Sequence, residues 1–301
     1  MIQSISASGW ASPPTPSPSA LPSPSDQPYS ADWAAPVPSP SPGPAPAPVQ
    51  SPPTPSTADP DRARESALLA DDVYNDVASP PPGFRVASES DLDRLNLTPA
   101  MLEQPGSSFR ARVYATGSGD DTRYVVAFRG SSAGEDWKNN AQQALGLNSE
   151  SYAKALRVGK ELARSDAEVT ITGHSLGGGL ASAASIASGR EADTFNAAGL
   201  HGDTIASARA IAAANDRGSA DVQAYHVPGE ILTSLQNGGD RVLGGILLGI
   251  PGAILADAPP AYGTSHALPS ERPEGVNWFE GLNPIGRHGM DWVLSGVAAL
   301  R

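Results

Sequence analysis

Hydrophobic and polar positions change rhythm several times along this chain. Residues 61–75 (DRARESALLADDVYN) set Ala67, Leu68, Leu69, Val73 and Tyr74 between charges, which predicts an amphipathic helix. Three consecutive prolines at 80–82 stop any continuation. Residues 109–116 (FRARVYAT) alternate in the manner of a strand, GSGDD at 117–121 is a turn signal, and residues 123–128 (RYVVAF) read as a second strand. The two predict a hairpin. From there the period itself alternates. Helical stretches are predicted at 149–164, 176–188, 204–214 and 290–300, and β-branched or apolar runs at 168–172, 192–197 and 221–227 predict strands between them. On the first helix of that series Tyr152, Ala155, Leu156, Val158, Leu162 and Ala163 mark the apolar face. Strands alternating with helices imply βαβ units, so the expected fold class is α/β: a mostly parallel central sheet with helices on both faces.

Composition divides the chain in two. Of the 30 prolines in 301 residues, 18 fall in residues 1–60, together with 13 serines, three acids (Asp26, Asp32, Asp59) and no Lys or Arg. So little apolar surface cannot offset the entropy of ordering, and residues 1–60 are expected to form a disordered Pro/Ser/Ala-rich tail ahead of one folded domain at 61–301. Without cysteine there is no disulfide framework, thiol nucleophile or thiolate zinc site. The net charge of −12 argues against nucleic-acid partners and against anionic membrane surfaces, though not against a zwitterionic or apolar lipid. The longest uncharged apolar run, 242–256, has 15 residues including four glycines and a proline, short of the roughly 18–20 that a membrane-spanning helix needs. No basic start and apolar run open the chain as in a secretory signal peptide, so any export is expected to use a route without a cleavable signal, from a cytoplasmic precursor.

The sharpest local signal is Gly173-His174-Ser175-Leu176-Gly177, between a predicted strand and a predicted helix. G-x-S-x-G puts a serine on a tight strand-to-helix turn that lifts its hydroxyl off the sheet and aims the first helical N–H groups at a developing oxyanion. The pattern alone is weak evidence, because Gly130-Ser131-Ser132-Ala133-Gly134 also satisfies it. Context separates the two. Small residues follow Ser175 and allow a helix to pack closely on a sheet, whereas Glu135, Asp136 and Trp137 follow the other match. Ser175 is therefore the expected nucleophile, and the earlier loop suits a second oxyanion donor.

With YVVAFRGS at 124–131, DW at 136–137 and VTITGHSLGG at 169–178, the chain resembles the class 3 (fungal-type) lipases. It is closer still to their bacterial phospholipase-like relatives, some of which are antibacterial effectors delivered by specialised secretion systems. The likeness runs from about Glu65 to the C-terminus and is weak over 231–284. It implies an α/β-hydrolase fold, a Ser–acid–His triad and hydrolysis of lipid esters.

A serine hydroxyl needs a general base, and a histidine base needs a carboxylate to hold its tautomer. His174 lies inside the elbow, where packing is the expected role. His201 and His226 precede the expected acid, the wrong order for the fold. His266 and His288 come late enough, and His288, in Gly286-Arg287-His288-Gly289 just before the last helix, matches the family's C-terminal histidine. Glu230, after the predicted strand 221–227, is the positional match for the acid, although the family usually carries Asp there; Asp240 and Asp257 compete. The resemblance assigns the oxyanion hole to the Leu176 N–H and to Ser131, with Asp136 and Trp137 anchoring the loop.

The apolar run 242–256 reads either as a buried segment beneath the site or as a flap that opens at a lipid surface. The reading as a whole is a cofactor-free, metal-free serine hydrolase of glycerolipids, a phospholipase A or lipase. A small-ester esterase or thioesterase is the alternative among enzymes, and an inert lipid- or partner-binding module the alternative outside them. An effector role would add secretion machinery and an immunity protein as partners.

Overall fold

The computed structural model describes residues 58–104, 106–131, 149–236, 259–277, 281 and 283–301. The tail through residue 57, the second G-x-S-x-G from Ser132 onward, Asp136, Trp137, Asp240, Asp257 and the run 242–256 lie outside the described residues.

Seven strands form one sheet in simple chain order: β1 (Phe84–Val86), β2 (Ala111–Thr116), β3 (Arg123–Phe128), β4 (Glu168–His174), β5 (Glu191–Phe195), β6 (Val222–His226) and β7 (Thr264–Ala267). The expected hairpin is present as antiparallel β2 and β3, with β1 added antiparallel to β2. From β3 to β7 all pairings are parallel. Parallel neighbours need crossover helices. Between β3 and β6 these are α4 (Ser149–Arg164), α5 (Leu176–Ser188) and α6 (Gly202–Ala213). Because the strands advance in one direction and such crossovers are right-handed, all three helices fall on the same face. Their buried residues share one cluster there with Tyr124, Val126, Phe128 and Ile171, and α6 packs on α4 and α5.

The opposite face is covered by helices that precede and follow the sheet, α1 (Pro60–Asp72) and α8 (Met290–Ala298). Side chains alternate along β3, so Val125 and Ala127 meet Leu69 and Val73 on this side. Farther along, Ala63, Ala67 and Ala70 share a cluster with Phe195, Tyr225, Trp292 and Val293. Asp59 caps α1 by accepting from the amides of Asp61 and Arg62, so the helix begins at Pro60, the last residue of the expected tail. An ion pair to a buried carboxylate fastens α1 to the sheet: Arg62 Nε donates to Asp193 Oδ2 at 2.9 Å, and Ser66 Oγ donates to the same oxygen at 2.9 Å.

Several short elements have no counterpart in the periodicity: β1, α2 (Glu89–Arg94), α3 (Pro99–Leu102), α7 (Ile231–Gln236) and β7. Three to six residues cannot display a period. β7 is mostly exposed, and its sequence TSHA has no alternation to read. α2 does carry a local signal, a capping box between Ser88 and Asp91.

Candidate active site

Four loops converge here: three leave the C-terminal ends of β4, β3 and β6, which the in-line register of the parallel strands brings side by side, and the fourth precedes α8. The first is the elbow after β4. Ser175 has φ +60° and ψ −128°, a conformation an L-residue adopts only under constraint. The two flanking glycines explain how the turn fits. A Cβ on Gly173 would lie 2.3 Å from the Gly177 carbonyl oxygen, and one on Gly177 would lie 2.2 Å from that of Phe128. Only bare backbone lets α5 start this close to β3. As the first helical residue, Leu176 has no intrahelical acceptor for its N–H, which is left beside the serine.

The second loop follows β3 and carries Gly130 and Ser131. A Cβ on Gly130 would stand 3.3 Å from Ser175 Cβ, so this strand end abuts the elbow. The third contribution comes from two loops that meet, one after β6 and one before α8. Ser175 Oγ lies 2.9 Å from His288 Nε2, and His288 Nδ1 lies 2.7 Å from Glu230 Oε2. Ser175, His288 and Glu230 are 3%, 5% and 0% exposed, so the chain of contacts is shielded from bulk water.

Glu230 doubles as the cap of α7. Its carboxylate accepts from the amides of Leu232 (2.8 Å) and Thr233 (2.5 Å), the second and third helical residues. Burial alone would raise its pKa. Hydrogen bonds with His288 and Thr233 and the adjoining imidazole outweigh burial and hold the carboxyl below its ordinary value. A carboxylate kept ionised beside Nδ1 fixes the imidazole tautomer with Nδ1–H toward Glu230, leaving the Nε2 lone pair for the serine proton.

The remaining histidines occupy other places. His266, the alternative base, sits on β7, stacks on Tyr225 and contacts Gln223 Oε1 at 2.6 Å. His226 contacts Ser265 across β6 and β7. His174 is packed behind the serine, with Nδ1 3.0 Å from the Tyr74 hydroxyl and Nε2 2.7 Å from the His288 carbonyl oxygen. Three residues with evident structural ties to the site were not singled out by sequence reasoning. Tyr74 counted only as part of an apolar face. Asn196 adopts φ +43° and contacts both the His288 carbonyl and the Val227 amide. Arg287 donates from Nη1 to the Pro228 carbonyl and from Nε to that of Gly281. No local pattern marks any of them, because each contacts a segment distant from it in the chain.

A polar cavity of about 340 Å³ lies at the other end of the sheet, lined by Asp61, Arg62, Glu168 and Glu191 among others, and does not include Ser175. Among the described residues, no cluster of His, Asp and Glu could hold a metal ion, and no helix is long and apolar enough to cross a membrane.

Residues 65–274 match the family model described as a Tle-like phospholipase domain. The chain belongs to that family. The match takes in the elbow and Glu230 and stops before His288, whose place beside Ser175 rests on the geometry. An extracellular phospholipase A1 from Serratia liquefaciens is 39% identical to this chain over 174 residues, covering 56% of this chain and 53% of the relative. The chain thus spans about half the length of that curated relative.

Proposed function

We propose that this chain is a serine carboxylic-ester hydrolase that releases fatty acid from glycerophospholipids, a phospholipase of the A type. The observation that carries the reading is the buried series Ser175 Oγ, His288 Nε2 and Glu230 Oε2, at 2.9 and 2.7 Å, on a strained elbow. Membership of the Tle-like phospholipase domain family and the likeness to a phospholipase A1 support the lipid substrate.

In this mechanism Ser175 Oγ attacks the ester carbonyl while His288 Nε2 takes its proton and Glu230 stabilises the imidazolium. The carbonyl oxygen, now negative, accepts hydrogen bonds from the Leu176 N–H and from Ser131, each such donor worth about 3–4 kcal/mol of barrier. Collapse breaks the ester C–O bond, and His288 returns the proton to the departing lysophospholipid alcohol. Water then attacks the acyl-serine with the same base, and fatty acid leaves. No step requires a metal or an organic cofactor. The relative's extracellular location supports an exported enzyme; delivery machinery and an immunity protein belong to the effector form of the same reading.

Purified protein and its Ser175→Ala variant, assayed in parallel on phospholipid vesicles, triglyceride emulsions and nitrophenyl esters, test the proposal. Fatty acid release from phospholipid that disappears in the variant is the expected result. Activity confined to short esters would replace the lipid reading with an esterase. Undiminished release by Ser175→Ala would overturn the mechanism.

A further inference from the structure

His174 is the last residue of β4, next to the elbow serine, 6% exposed, and its ring nitrogens both have partners. One partner decides the proton positions. The His288 carbonyl oxygen can only accept, so His174 Nε2 carries a hydrogen and donates at 2.7 Å. Burial, followed by the proximity of His288, lowers the His174 pKa to about 3, so the ring is neutral and Nδ1 is an acceptor. The Tyr74 hydroxyl, 3.0 Å away, is then the donor to Nδ1. The same hydroxyl rests against the β3 end, where a Cβ on Gly130 would lie 2.2 Å from it. Asn196 Nδ2 donates to the His288 carbonyl from the other side at 3.1 Å, so both lone pairs of that oxygen are used.

His288 itself sits at the end of a single 3₁₀ turn, Gly286–His288, just ahead of the α8 cap at Gly289. Such a turn has few internal bonds to fix where its last residue points. The two side chains that hold its carbonyl come from the ends of β4 and β5, rigid parts of the sheet. The strand that raises the nucleophile therefore also holds the base.

Resting on the reading of His288 as the general base, we propose that His174 is a positioning residue for it: a neutral imidazole, oriented by Tyr74, whose Nε2–H tethers the His288 backbone so that the His288 ring stays in line with Ser175. The second position of the G-x-S-x-G motif thereby serves the reaction without touching substrate.

Two substitutions in the full chain separate the donor from the bulk. His174→Gln presents an amide N–H near the Nε2 position and keeps the tether. His174→Asn presents an acceptor near Nδ1 and falls short of the His288 carbonyl. On phosphatidylcholine in mixed micelles, His174→Asn should lose about tenfold or more in kcat, with KM changed by less than about twofold, while His174→Gln recovers at least about a third of the wild-type kcat. Tyr74→Phe should lower kcat alone and add nothing in the His174→Asn background, as expected of two residues in one chain. Wild-type kcat in His174→Asn would overturn the proposal. So would equal damage in both His174 variants with melting temperature falling in step. Should His174→Asn fail to fold, Tyr74→Phe decides alone: a kcat loss supports the tether and a wild-type kcat overturns it. His288→Ala keeps the two claims apart, since its retained activity would remove the base assignment, whereas its inactivity beside an unaffected His174→Asn would remove only the tether.

Discussion

The guanidinium of Arg287, one residue before His288, reaches the carbonyl of Pro228, two residues before Glu230, at 2.7 Å. It also donates to Gly281 at 2.6 Å and lies over the Trp292 ring at 4.8 Å. A planar fork held on three sides fixes the separation of the Glu230 and His288 loops, which approach from residues 58 apart in sequence. Ile231 reinforces this by donating its amide to the Pro284 carbonyl. Arg287→Lys keeps the charge but loses the fork. It should lower kcat by about tenfold with little change in KM, measured by steady-state release of fatty acid.

Glu230 stands where the resemblance to class 3 lipases leads one to expect an aspartate, and its loop is built to the longer side chain. The carboxylate meets His288 Nδ1 and two α7 amides at once. Glu230→Asp would withdraw it by one methylene, so the variant should lose activity by about tenfold or more. Glu230→Gln, which removes the charge that stabilises the imidazolium, should cost about 10²–10⁴-fold in kcat. Equal activity of the aspartate variant and the wild type would show that the loop tolerates either length.

Arg62 and Asp193 make a different kind of claim. Asp193 is fully buried on β5, and Arg62 is its cation. Arg62→Met would leave a carboxylate without its counter-charge inside the α1–sheet interface. We expect about 3–5 kcal/mol of destabilisation by urea unfolding, partly recovered by adding Asp193→Asn. A loss below about 1 kcal/mol would mean that water reaches the site.

Stability should fall with acid. Asp91 is held below its ordinary pKa by Arg85, Ser88 and Tyr124; Asp72, despite burial, by Tyr114, Ser79, Asn75 and Arg112; Glu230 by His288 and Thr233. A carboxyl whose folded pKa is depressed contributes stability above its unfolded pKa of about 4, and that contribution is lost as pH falls through the folded value. Asp71 and Asp193, raised by burial, act in the opposite sense and soften the slope. Melting temperature should drop from about pH 5 downward, less steeply in Asp91→Asn. A melting temperature that is flat to pH 3 would contradict this balance.

The elbow and the order of elements were legible in the chain because both are local. A serine between glycines, after a β-branched run and before small residues, admits one backbone path whatever surrounds it. The hairpin, α4, α5 and α8 likewise follow from period and turn chemistry within a dozen or so residues. Chain order set aside His201 and His226, and the resemblance put His288 and Glu230 first, leaving His266, Asp240 and Asp257 open. Only the sheet could bring Ser175 within 2.9 Å of a ring 113 residues away and seat His266 on Tyr225 instead. Tyr74, Asn196 and Arg287 were invisible for the same reason. Their partners are backbone carbonyls, an amide and a ring supplied by other loops, and no spacing along a chain encodes a contact that exists only once parallel strands have set those loops side by side.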